Sequence, residues 1–140
     1  RKCFLRGLFG GKLCTEIIPK TPVARSERYE DFLVLSLQVK GKASVQASLA
    51  AFVEGETLEG DNAYYSEEAG CKVDAVKRTS IGSLPETLVL VLKRFEFDLD
   101  VMQKVKLNDF CEFPMRLDMA PYTTEALDGA NSEEQEYDLT

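Results

Sequence analysis

Between residues 43 and 56 the chain reads ASVQASLAAFVEGE, and Val45, Leu49, Phe52 and Val53 fall at i, i+4, i+7 and i+8, one face of an α-helix. Ser44 stands in the N-cap position and Gly55 where a helix would stop, so the pattern predicts a short amphipathic helix over residues 45–54. Most of the remaining pattern is that of strands. The stretch 31-DFLVLSLQV-39 is rich in branched apolar residues and ends in a KGK turn, which predicts one strand. Residues 72–81 alternate imperfectly, with Val73 and Ala75 marking one face. The run 87-TLVLVLKRFEFD-98 opens as a strand buried on both faces. It then alternates, with Phe95, Phe97 and Leu99 on one face and Glu96 and Asp98 on the other. A shorter strand, 103-QKVKL-107, is expected to pair back on it. Tyr64 and Tyr65 should point one inward and one outward, and Asp61 and Asn62 should brace the turn before them. The stretch 112-EFPMRLDMAPY-122 reads as extended and proline-punctuated, and 123–136 as an acidic loop insertion. The expectation is a mostly β, α+β domain with antiparallel sheets and one short helix.

Length and charge narrow the choice. A chain of 140 residues suits one domain, or a piece of a larger one. The longest apolar run, Leu88 to Leu92, is five residues, far from the ~20 that span a bilayer, so no membrane partner is expected. No long apolar stretch follows Arg1 and Lys2, which argues against a secretory leader. A net charge of -7 argues against nucleic acid, whose phosphates call for a clustered positive surface. Charge is uneven: residues 1–30 hold seven Lys/Arg against three Asp/Glu, and residues 123–140 hold six acids and no base. Both ends are expected to be solvated surface.

The most telling count is zero: the chain has no histidine. A Ser or Cys nucleophile is ordinarily activated by an adjacent imidazole, and zinc hydrolases lean on imidazole ligands. Neither arrangement can be assembled within these residues, so the segment alone is not expected to hydrolyse anything. Cys3, Cys14, Cys71 and Cys111 form no C-x-x-C pair and read as buried thiols of a reducing compartment.

Three ordered stretches carry a resemblance: 58-LEGDNAY-64, 84-LPETLVLVLKRFEFD-98 and 113-FPMRLDMAPYT-123. Together they resemble the central part of the catalytic domain of the ubiquitin-specific proteases, closest in look to the large fat-facets type. The segments 9-FGGKL-13 and 31-DFLVLSL-37 fit the same family. The resemblance implies a papain-like cysteine protease fold of thumb, palm and fingers, with residues 1–140 supplying the fingers and part of the palm. It implies a partner, ubiquitin or ubiquitinated proteins, and hydrolysis of the bond after the ubiquitin C-terminal glycine. The boxes that hold the family's catalytic cysteine and histidine have no counterpart here, and both ends of the chain read as interruptions. A cytoplasmic site of action, with the nucleus as a second compartment, goes with the family. The rival implication is a non-catalytic relative that binds ubiquitin or serves as a scaffold.

The resemblance also says where a metal would sit. Many members hold a fingertip zinc through two C-x-x-C pairs, and those four positions fall here on Pro19, Pro22, Ser66 and Ala69. None is a thiolate, so no zinc and no other cofactor is expected. Four residues are implied to meet ubiquitin. Glu56 would face its basic surface, and Lys93, Phe95 and Glu96 would flank the channel for its extended tail. From pattern alone, Glu56 reads equally as a solvated helix-end acid, and Phe95 reads first as core.

Overall fold

The computed structural model describes residues 4–108, 110–129 and 133–140. A six-residue helix α1 (Phe4–Phe9) leads into β1 (Gly11–Pro19), which turns back as β2 (Ser26–Phe32). The chain then crosses to β3 (Leu35–Gln38), the helix α2 (Val45–Phe52) and β4 (Glu56–Leu58). A tight turn at Gly60–Asn62 enters the small hairpin of β5 (Tyr64–Ser66) and β6 (Cys71–Val73). After β7 (Ala75–Ser83) come β8 (Leu90–Lys93), β9 (Phe95–Asp98) and β10 (Gln103–Lys106). The chain closes with β11 (Arg116–Asp118), a turn at Ala120–Tyr122, the one-turn helix α3 (Thr124–Leu127) and β12 (Glu136–Asp138).

The largest sheet has four strands in the order β2-β1-β7-β4, all antiparallel. Its strands can lie this close because Gly11 has no side chain. A Cβ there would come within 2.5 Å of the Phe32 ring and 2.7 Å of the Ser83 carbonyl oxygen. Three further antiparallel pairs are β5-β6, β9-β10 and β11-β12, and β3-β8 is a parallel pair aligned Leu35 to Leu90. The core gathers Phe32, Leu35, Leu37, Val39, Val45, Leu49, Ile81, Leu117 and Met119. It therefore lies where α2 covers the β3-β8 pair and the end of β7. The predicted helix is present, with the Ser44 hydroxyl accepting the Ala47 N–H at 3.1 Å and Leu49 fully buried. Such a cap contributes about 1 kcal/mol.

Several elements differ from the pattern. The strand expected over 31–39 is two, because Leu33 and Val34 are both exposed between buried Phe32 and Leu35. Two exposed residues in succession reset the alternation, and the chain leaves the four-stranded sheet there for β3. The strand expected over 72–81 is split at Asp74, whose carbonyl accepts the Lys20 N–H at 2.8 Å. β8 alternates half-buried and exposed positions instead of being buried on both faces, and Val91 faces outward. The apolar segment at the start is helix α1, and the stretch 123–136 contains α3, so α2 is not the sole helix. Thr123 caps α3 through its Oγ1, which accepts the Ala126 N–H at 3.3 Å. The β9-β10 hairpin forms as expected, its turn held by Asp98 Oδ1, which accepts the Asp100 N–H at 2.8 Å.

Candidate functional site

Two hairpin tips meet at one end of the four-stranded sheet. Pro19 ends β1 and Pro22 lies in the turn to β2, while Ser66 ends β5 and Ala69 lies in the turn to β6. They touch through Glu68, whose Oε2 accepts the Ala24 N–H at 2.7 Å, and at their base through Lys20 and Asp74. Pro19, Pro22 and Ala69 have no donor side chain. The Ser66 hydroxyl is buried and already accepts the Ala69 N–H at 3.2 Å, which fixes the β5-β6 turn. This donor set does not fit a tetrahedral metal ion. Among the described residues, no three His, Cys, Asp or Glu side chains gather at one point.

The four residues expected to meet a partner occupy two regions. Glu56 is exposed on the edge strand β4, opposite Lys77 of β7. Lys93 ends β8 as an exposed residue, and Phe95 and Glu96 open β9. Phe95 is 68% exposed and Phe97 49% exposed, so neither is core. The alternation is present with its faces reversed: Glu96 and Asp98 are the half-buried positions. In the antiparallel register Phe95 lies opposite Lys106 and Phe97 opposite Lys104, which places two aromatics and two lysines on one face of the hairpin. Glu96 is on the other face and is engaged by Lys40, Nζ to Oε1 at 2.8 Å. Phe95 and Glu96 therefore lie on opposite faces of the β9-β10 hairpin. Tyr64 is half-buried and Tyr65 exposed, as their spacing demands. Asp61 and Asn62 stabilise their turn through the main chain: the Asn62 N–H donates to Glu59 O, and Asp61 O accepts from Lys72 Nζ.

The thiols divide differently from the expectation that all are buried. Cys14 and Cys111 are buried and Cys71 is exposed at the start of β6, while Cys3 lies outside the described residues. Burial pushes the Cys14 thiol up from its ordinary range, so it remains a neutral thiol. One constellation was missed altogether. Glu16, Arg78 and Asp128 meet beneath α3, although 112 positions separate the first from the last. Only the β1-β7 register, which sets Glu16 directly opposite Arg78, could have announced it.

This arrangement of strands and turns belongs to the catalytic domain of a ubiquitin hydrolase: the profile described as "Ubiquitin carboxyl-terminal hydrolase" matches residues 1–140. The chain belongs to that family, in its ubiquitin-specific protease branch. It is 37% identical over 136 residues to human ubiquitin carboxyl-terminal hydrolase 9Y, covering 94% of this chain and 5% of that protein. It is also 37% identical over 123 residues to ubiquitin carboxyl-terminal hydrolase FAF of Drosophila melanogaster, covering 88% of this chain and 4% of that one. A chain in the structure of the SAGA Ubp8/Sgf11/Sus1/Sgf73 DUB module bound to ubiquitin aldehyde superposes with a TM-score of 0.86 at 32% identity. That match covers 99% of this chain and 31% of the other. The chain thus spans about one-twentieth of the length of these curated relatives and under a third of the solved one.

Proposed function

We propose that these residues are the fingers and part of the palm of a deubiquitinating cysteine protease, and that their task is to recognise ubiquitin. The observation that carries this reading is the near-complete superposition on a module solved with ubiquitin aldehyde bound. Cleavage after the ubiquitin C-terminal glycine would use a cysteine and a histidine supplied by other parts of the protein, since no histidine lies within these 140 residues. Glu56 contacts ubiquitin from the edge of the four-stranded sheet, and Lys93 and Phe95 flank its tail. Glu96 reaches the same ligand only by exchanging its bond to Lys40. The fingertip works without zinc, held by Glu68 and Ala24 in place of a metal.

Two surfaces support a role inside a larger catalytic domain. Phe95, Phe97, Leu99, Phe113 and Met115 are exposed apolar side chains. A cavity of about 320 Å³ opens between Leu88, Leu90, Leu92, Leu117, Tyr137 and Leu139. Contiguous exposed apolar surface marks an interaction site. The site of action is the cytoplasm, with the nucleus as a second compartment, and nucleic acid and membranes are not partners. No helix among the described residues is long and apolar enough to cross a membrane.

A second reading, a scaffold that binds ubiquitin without cleaving it, draws on the non-ligating residues at Pro19, Pro22, Ser66 and Ala69. Release of a fluorophore from the ubiquitin C-terminus by the intact protein separates the two. Turnover abolished by a thiol alkylator supports the protease. Saturable ubiquitin binding without turnover supports the scaffold, and absence of both would refute both.

A further inference from the structure

Glu16 is 0% exposed, and a carboxylate so placed needs a cation close by. Arg78 provides it from the adjacent strand, Nη2 to Oε2 at 2.5 Å. The same guanidinium, itself 15% exposed, reaches Asp128 Oδ1 at 2.7 Å and the Leu127 carbonyl at 3.4 Å. Arg25 holds the other carboxylate oxygen of Asp128 at 3.3 Å. Leu127 and Asp128 are the end and C-cap of α3, a helix of four residues that is too short to hold itself. Beside them the Ser80 and Thr124 hydroxyls share a hydrogen bond of 2.7 Å. Thus α3 is tied to β7 by polar groups, and the planar fork of one arginine makes most of the ties.

The chain carrying α3 is anchored a second time elsewhere. The Gln135 carbonyl accepts the Met119 N–H, and the Gln135 N–H donates to Asp118 Oδ1, both at 2.9 Å. That neck sits on the β11-β12 pair, whereas the Arg78 end sits on the four-stranded sheet. The two sheets share no strand.

We propose that the segment 119–128, which leaves β11 and carries α3, is a strut, clasped by Arg78, that fixes the four-stranded sheet relative to the β11-β12 side of the molecule. Arg78 is then a positioning residue for any partner gripped across both sheets; that the partner is ubiquitin rests on the function proposed above. The Glu16–Arg78 half of the clasp does not behave as a surface ion pair, because Glu16 has no access to solvent and salt screens it weakly. On the other half, the Asp128 side chain is 32% exposed. Lysine cannot replace Arg78, since a single ammonium cannot span Glu16, Leu127 and Asp128 with the same geometry.

Hydrogen exchange read by mass spectrometry on the full-length protein tests the clasp without ubiquitin. Asp128→Ala leaves the Glu16–Arg78 pair whole, and is expected to speed exchange in peptides covering residues 120–129 at least tenfold while β1 and β7 peptides stay unchanged. Asp128→Glu returns a carboxylate and restores most of the protection. Should Arg78→Lys fail to fold, the double variant Glu16→Met, Arg78→Met removes the buried pair together with the Arg78 bonds to Leu127 and Asp128. It should speed exchange over 120–129 although Arg25 and Ser80 still hold α3. Unchanged exchange over 120–129 in Asp128→Ala overturns the clasp. The positioning role predicts at least fivefold weaker ubiquitin binding for Asp128→Ala at 0.15 M salt. Faster exchange with undiminished affinity overturns that role. Wild-type protein that shows the expected exchange but binds no ubiquitin refutes the functional reading and leaves the clasp standing.

Discussion

Glu68 joins the two hairpin tips through its side chain. With Pro19, Pro22, Ser66 and Ala69 at these tips, the two are joined by a carboxylate on a backbone N–H. This bond is solvent-exposed, so it contributes on the order of 1 kcal/mol, far below the ~10–16 kcal/mol of a structural zinc. Glu68→Ala should therefore raise hydrogen exchange at Ala24 and its neighbours without unfolding the core. Adding zinc or a chelator should shift the melting temperature by less than a degree, as differential scanning fluorimetry would record. Asp128 gives a pH dependence. The Arg78 guanidinium bonded to it, with Arg25 nearby, holds its carboxyl below the ordinary aspartate range of ~3.9. A carboxylate depressed in the folded state contributes stability that is fully present above its unfolded pKa. That contribution is lost as the pH falls through the folded value. Acid titration of the melting temperature should show a loss below about pH 4 that Asp128→Asn reduces. None of these roles was legible in the sequence. Glu68 and Asp128 look like solvated acids, and their partners lie 44 and 50 positions away.

The elements show where pattern succeeds. α2 was readable because its period, its Ser44 cap and its Gly55 stop agree, and the structure has the helix within two residues of the expected end. Leu49 is fully buried in the core that this helix covers, so Leu49→Ala should cost roughly 2–5 kcal/mol, measurable by urea unfolding. Strand pairing over 95–106 was readable for the same reason, but the inner face was not. Aromatic residues lie outward on β9 and acids inward, an inversion that hydrophobicity cannot announce. The break at Leu33–Val34 escaped because every residue from Phe32 to Leu35 is apolar, so a change of phase leaves no mark in the letters. Topology was invisible too: the β3-β8 pairing is parallel and joins residues 55 positions apart.

At the scale of the whole molecule, family membership and recognition are separate matters. The match across residues 1–140 establishes the family, and the superposition establishes the strand-rich fold. The proposed recognition of ubiquitin draws on exposed residues that this fold presents: Glu56 on the edge strand β4, Lys93 at the end of β8, and the Phe95–Phe97 face of β9. The proposed strut fixes the four-stranded sheet, which carries Glu56, relative to the β11-β12 side of the molecule. A partner held across it should depend on both the contact residues and the clasp.

The most direct measurement is a titration of isotope-labelled ubiquitin with the intact protein, followed by NMR. Recognition through this surface predicts line broadening confined to the hydrophobic face and C-terminal tail of ubiquitin, with saturable binding. It predicts that Phe95→Ala, which removes a side chain 68% exposed and so spares the fold, weakens binding at least tenfold. Absence of broadening at high concentration, or equal affinity for Phe95→Ala and wild type, would contradict it.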